Sequence, residues 1–363
     1  MALADESSVS LRALFRKELR WSKHNVAALI VLLLVLPATA GYASVAFQHV
    51  IPQEAPVAVV PADDATEEGS LEVVDAAAVT FAQPVRYDSE EAAMDALHRE
   101  EVYAVVSVPP GLLNDSRQSQ LNLTVEGSMV LFDQPSAAMV NILNYRLQSD
   151  VSPSISVERQ VVGESNSLSE YLIPILLVAT LMLFAFTYVP YNLASESRAI
   201  QRIRADSSLE ALVAAKLLYF TLLMLVPIAV FGMVTWALGY AITPISVPLV
   251  VALLLSFLAM SAVAMALMFL TRFGTTGRFL SVIFLFGLVA FGGLIYPAGF
   301  FSPLRKEIVR AVPLHYTTII ARNEMLKDVP TRLYTDYFVF LVGTAVASLL
   351  VLQLAIVVYR RGD

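Results

Sequence analysis

A chain of 363 residues with 57% apolar residues, 15% charged residues and a mean hydropathy of +0.67 carries more apolar surface than one soluble core can bury, and the excess points to lipid. The absence of cysteine excludes both a disulfide framework and a thiolate metal site. A formal charge of −7 leaves no basic footprint for nucleic acid. Six stretches are apolar over the 20 or so residues needed to cross roughly 30 Å of hydrocarbon: 24–47, 169–190, 213–240, 247–270, 279–297 and 337–359.

Residues 1–23 place Leu11, Leu14, Phe15 and Leu19 at helical spacing, with Arg12, Arg16, Lys17, Arg20 and Lys23 largely off that face. This reads as an amphipathic helix on the cytoplasmic membrane surface, or as basic residues that only set topology. The next stretch, 24–47, contains Ala38-Thr39-Ala40, which mimics a signal-peptide cleavage site. Its apolar run continues to Phe47, however, so an uncleaved first transmembrane helix is expected.

Residues 48–168 hold 19 Asp and Glu against five Arg. Strand-like runs at 57–60, 71–75, 102–108 and 121–127 are interleaved with helical ones. Ser89 followed by Glu90 and Glu91 starts a helix with a capping side chain and with acids where the helix dipole favours them. Pro135 opens another. A small α/β domain follows, with glycosylation sequons at Asn114 and Asn122 that read more readily as chance triplets. The acidic, lysine-poor composition fits a high-salt habitat.

Beyond this domain, the segment 191–212 interrupts the apolar runs with Glu196, Arg198, Arg202, Arg204 and Glu210, and Lys216 opens the next span. Helical spacing of Ile200, Ile203, Leu209, Leu212 and Val213 predicts a short helix able to receive force from a partner, against the plainer reading of a topology-setting basic loop. Basic residues at both ends and in the short segments put both termini and this segment in the cytoplasm and residues 48–168 outside. Residues 298–336, outside in this scheme, run against the rule with six Lys and Arg beside four acids.

Several chemistries are excluded. No glycine precedes a lysine, so the chain has no P-loop and no nucleotide site of its own. The four histidines are scattered and no H-E-x-x-H occurs. The span interiors carry Ser, Thr and Tyr but essentially no ionisable groups, unlike ion-driven transporters. Uphill movement would therefore draw its energy from a contact at the membrane surface.

Taken with the motifs Arg16-Lys17-Glu18, Ser89-Glu90-Glu91-Ala92, Pro110-Gly111-Leu112, Gly293-Leu294-Ile295-Tyr296-Pro297, Pro303, Pro313-Leu314-His315-Tyr316 and Arg322, the chain resembles the membrane subunit of ABC type-2 exporters, in the branch with a large ectodomain that includes sodium-extrusion permeases. In the coupling segment, Glu196, Arg198, Arg202 and Lys216 stand at the family's charged positions, but its Gly-Thr pair and proline are absent. The resemblance implies an α-helical polytopic membrane protein of six transmembrane helices, with an extracytoplasmic α/β domain inserted between the first and second.

It also implies a re-entrant or surface-helix element over 298–336, marked by Gly293, Pro297, Pro303, Pro313, Tyr316 and Arg322. A separate ABC ATPase subunit, carrying ATP and Mg, would seat on 191–212, and a second copy or a similar permease would complete a dimer in the lipid bilayer. Substrate would pass along the second and fifth spans, with Thr180, Phe184, Thr187, Phe284 and Phe286 as candidate lining. The other class weighed is a membrane-anchored receptor or assembly scaffold whose acidic ectodomain binds a surface partner; one or two spans would suffice for that.

Overall fold

A computed structural model describes residues 55–113, 119–152, 154–202, 208–327 and 329–361. The surface helix expected over 1–23, the first span, Asn114 and Arg204 lie outside these. Five strands, β1 (Pro56–Pro61), β2 (Gln83–Arg86), β3 (Val105–Val108), β4 (Ser119–Glu126) and β5 (Ile155–Val162), form one mixed sheet in the order β2-β1-β3-β4-β5. β1 runs parallel to β2 and to β3, β3 is antiparallel to β4, and β4 is parallel to β5.

Parallel neighbours require crossovers, supplied by α1 (Glu68–Ala78) between β1 and β2 and by α2 (Glu90–His98) between β2 and β3. The strand order reverses direction between the two crossovers, so right-handed connections place the helices on opposite faces of the sheet. The cores agree: Ala58 and Val60 pack with Ala93, Ala96 and Leu97 of α2. Val57 and Val59 face the other way, into the cluster that holds Leu71, Val74 and Ala78 of α1. With both faces covered, β1 is buried nearly throughout. A third helix, α3 (Asp133–Asp150), adds Met139, Leu143 and Leu147 to the α1 side.

The run at 71–75, expected as a strand, lies inside α1. Its alternation is too short to decide, whereas Leu71, Val74 and Ala78 recur at helical spacing and are the positions buried. Ser89 caps α2 as its sequence indicates, accepting from the Ala92 amide at 3.2 Å. Pro135 is the third residue of α3, which begins at Asp133. β2 and β5 were assigned no strand in the sequence. β2 is four residues long with a proline tolerable only at a sheet edge, and the alternation of β5 is broken by the polar run Glu158-Arg159-Gln160.

The remaining helices are α4 (Leu168–Leu183), α5 (Val189–Ser195), α6 (Ser197–Arg202), α7 (Ser208–Leu223), α8 (Leu225–Leu238), α9 (Val247–Leu270), α10 (Thr275–Phe291), α11 (Pro303–Ala311), α12 (Pro313–Leu326) and α13 (Thr335–Arg361). A π-helical turn over Phe184–Tyr188 joins α4 to α5. Among the described residues four continuous helical stretches are long and apolar enough to cross a membrane: Leu168–Ser195, Leu209–Leu238, Val247–Leu270 and Thr331–Arg361. α10 is shorter, at 17 residues, which at 1.5 Å per residue gives about 25 Å.

α9 is the hub of this helical part, and its most extensive neighbour is α13. Small residues at Ala252, Ser256, Ala259, Ala262 and Ala266 line its buried faces, and such residues let helix backbones approach closely in lipid. By contrast, Leu209–Leu238 leaves most of its apolar surface uncovered, including Leu218, Leu222, Val226 and Met233.

Candidate functional site

The helical part has two unlike ends. At one end the sheet domain sits on the segment between α10 and α13, which turns back twice before entering the last long helix. Gly293 makes the first turn with φ +64, and a side chain there would meet Val309 at 2.9 Å. Pro303 and Pro313 stand at the first positions of α11 and α12, where a missing N–H costs nothing. Pro297 precedes a short 3₁₀ turn over Ala298–Phe300. Tyr316 packs its ring on Tyr337 and Phe340 of α13, with centroids 4.9 and 4.5 Å away.

Arg322 is 1% exposed. Its Nε donates to Oε1 of Glu100 at 3.0 Å, and its Nη2 donates to Oε2 of the same carboxylate. Lys327 adds Nζ at 3.5 Å from Oε1. Burial alone would raise the pKa of Glu100; Arg322 and Lys327 overcome it and hold the carboxylate below its ordinary range. Glu100 is therefore ionised, in a fully buried fork between the sheet domain and α12. It follows the last turn of α2 in left-handed conformation, φ 58, a place usually given to glycine. A carboxylate accepts that backbone cost, of order 1 kcal/mol, and gains the two cations.

Around this fork the junction is closed by further contacts. Arg99 grips Asp336, at the start of α13, with two bonds of 2.7 and 3.1 Å, and its Nε donates to Glu101 at 2.8 Å. The Tyr337 hydroxyl donates to the Arg99 carbonyl at 3.2 Å. The Gly299 amide donates to the Tyr103 hydroxyl at 3.0 Å, and the Tyr103 ring packs between Phe132 and Phe300. His315 is buried beside Glu100 and Arg322. Burial is the main reason its pKa falls, to about 4, with Arg322 and Arg310 pushing the same way against the opposing pull of Glu100.

Glu100, Lys327, Arg99, Asp336 and Tyr103 escaped the sequence reading. The signal was present as the excess of Lys and Arg over 298–336 that conflicted with the charge rule. Arg322 and Lys327 are consumed by a buried acid of the sheet domain, and Arg305 lies over the Phe301 ring and donates to the Ala290 carbonyl. Those charges belong to packing rather than to a loop's topology.

The opposite end carries the described parts of the charged segment, 191–202 and 208–212. Lys216 Nζ bonds Glu196 Oε1 and Asn192 Oδ1, each at 2.8 Å, bracing α7 against the end of α5. Glu210 pairs with Arg360 at the end of α13. Arg198 is exposed on α6, and the Arg202 side chain lies outside the description. Nearby, Phe269, Phe273 and Tyr359 form a ring cluster with centroids 5.1–5.4 Å apart.

Between the two ends, the residues proposed as pathway lining do not converge. Thr180 and Thr187 each donate back to their own helix, at Leu176 and Leu183. Phe184 packs in an aromatic cluster with Tyr188, Phe220 and Phe257, and Phe286 is 45% exposed. Only Phe284, stacked on Phe186, borders the apolar cavity of about 170 Å³ that Met260, Leu314 and Ser348 also line. In the sheet domain, Asn122 is on β4 with its side chain exposed. Among the described residues no three His, Asp or Glu come together as a metal site.

Long apolar helices carrying a sheet domain at one end and a charged braced segment at the other define a multi-pass membrane protein. A family model described as ABC-2 family transporter protein matches residues 26–354, and the chain belongs to that family. It is thus a membrane permease subunit of an ABC transporter, the kind of subunit that associates with an ABC ATPase. No curated protein and no solved structure matches it.

Proposed function

We propose that this permease is an exporter in which a separate ATPase drives the helices through 191–212, while the sheet domain stands on the outer face. The observation that carries this reading is the separation of the two polar features. The segment braced by Lys216–Glu196 and Glu210–Arg360 and the domain held by Glu100–Arg322 are at opposite ends of the same helices.

In this reading six spans cross the membrane, counting 24–47 and the short α10, and both termini are cytoplasmic, following the basic residues. The helices work as a pair with a second copy or a similar permease. The largely uncovered face of Leu209–Leu238 is available for lipid or for that partner. ATP and Mg stay on the ATPase. Its closure would tilt the braced segment and bias the helices between inward- and outward-facing states, a two-state element moved by a ligand elsewhere. The re-entrant segment 298–336 would carry the change to the sheet domain.

The test is to solubilise the native membrane gently, purify the full chain and identify what accompanies it. A P-loop ATPase is expected. Replacing Arg198, Arg202 and Arg204 together by glutamate should leave insertion intact while abolishing stimulation of ATP hydrolysis by the permease. Unchanged stimulation would remove the segment from the coupling role.

A further inference from the structure

A cavity of about 850 Å³ opens beside the buried fork, within the size range of pockets that hold drug-sized molecules, roughly 300–1,000 Å³. It has three sides: α11, the sheet-domain edge carrying β2 and the turn Arg99–Glu101, and the first turns of α13. The bottom rim is apolar. Leu304 is 74% exposed and Phe340 is 37% exposed, and Phe340 continues into the outward-facing row of Val339 and Val342 on a membrane-length helix. α11 itself turns Leu304 and Ile308 outward on one side, as a helix lying in a membrane interface does.

The charged lining residues are divided between elements, with a net positive set on α11 and a net negative set on the Arg99–Glu101 turn and the start of α13. On α11, Lys306 and Arg310 flank one acid, Glu307. In the second set, Glu101 and Asp336 flank one base, Arg99, which both of them bind. Tyrosines 87, 316 and 337 also line the cavity, Tyr316 packed on Tyr337 and Phe340, and tyrosine is a ring type that settles at the headgroup level of a bilayer.

An occupant must therefore be amphiphilic, with its apolar part reaching lipid past Leu304 and Phe340. Its polar part must offer an anion to α11 and a cation to the negative set. We infer that this cavity binds a zwitterionic phospholipid from the leaflet on the sheet-domain side, with phosphate toward Lys306 and Arg310 and the amine toward Glu101 and Asp336. The inference needs the chain to be a membrane protein, and does not depend on the direction of transport or on which leaflet is outer. A bound lipid there touches the sheet domain, α11 and α13 at once, so it would report on, or tighten, the junction.

The experiment uses the full chain reconstituted in vesicles containing a photoactivatable phosphatidylethanolamine, with labelled peptides mapped by mass spectrometry. Labelling is expected to concentrate on 303–316 and 334–342. Arg310→Gln, at a half-exposed side chain, should reduce it roughly fivefold, the size of one basic contact at a lipid surface. Labelling of the lipid-exposed α8 should be unchanged in the same sample, which separates loss of the site from loss of the fold. Leu304→Asp is the second variant and should act in the same direction.

Three results would overturn the inference. One is labelling spread evenly over all exposed apolar faces. Another is full competition by water-soluble glycerophosphoethanolamine, which would make the ligand a free solute. The third uses the absence of native cysteine: if Leu304→Cys cross-links quantitatively to a second copy, that copy covers the cavity.

Discussion

Glu100 joins two parts of the chain that are more than two hundred residues apart in sequence, and its environment sets what its loss would cost. Arg322→Met leaves a buried carboxylate with only Lys327 beside it, and removal of one partner of a buried pair costs about 3–5 kcal/mol. Thermal unfolding of the purified chain in detergent should show that loss. The triple variant Glu100→Leu with Arg322→Met and Lys327→Met should recover much of it, because the buried acid and both of its buried cations are removed together.

His315 makes a different, pH-dependent prediction. Its folded pKa of about 4 lies below the ordinary 6.5, so the folded state favours the neutral ring. The unfolded state binds the extra proton between those values, and stability must therefore rise with pH across that interval. The contribution is complete above pH 6.5 and is lost as pH falls toward 4, amounting to about 3 kcal/mol. The charged groups that face the ring are Glu100, Arg322 and Arg310. Melting temperature against pH should flatten over pH 4–6.5 in His315→Gln. Loss of the Glu100 contribution comes later, as pH falls through the lowered pKa of that acid.

At the scale of elements, the junction depends on close backbone approach as well as charge. A side chain on Gly299 would stand 2.0 Å from the Tyr103 ring, and that ring is held by Phe132 and Phe300. Gly299→Ala should therefore destabilise by about 1–3 kcal/mol through overpacking and expose the 3₁₀ turn to protease. Tyr103→Leu in the same chain should relieve part of it, and limited proteolysis with melting curves reads both.

The element boundaries show what local pattern leaves open. LEVVD within α1 reads as a strand because five residues cannot separate a period of two from one of 3.6. The apolar run 279–297 reads as one span, yet α10 stops at Phe291 and the remaining apolar residues build turns. Gly292 and Gly293 end the helix there, and Gly293 takes a left-handed conformation that continuation of the helix would forbid.

For the whole molecule, the consequence is a division of labour along the helix axes. The long apolar helices carry their charged groups at or near their ends, where Asp336 meets the sheet domain and Arg360 meets the braced segment. Among the described residues such helices supply no relay for an ion across their middle. The purified chain alone in liposomes should therefore drive no uphill movement from an ion gradient, and adding its ATPase partner with ATP should establish transport. Accumulation driven by the gradient alone would contradict the borrowed-energy reading.

Much of this was legible in the residues themselves. Hydropathy marks lipid-crossing helices because an unpaired backbone in hydrocarbon is costly. The Ser89 cap is local chemistry, and the motifs at Gly293, Pro303 and Pro313 are turn chemistry, so a single stretch of chain suffices to reveal them. What only the tertiary structure decided is pairing. No local pattern announces that the acid after α2 will meet Arg322, that Lys216 will reach back to Glu196, or that Thr180 and Thr187 will spend their hydroxyls on their own helices. Each is a contact between groups whose separation is set by folding, and the energy that makes it matter arises only once water has been removed from around it.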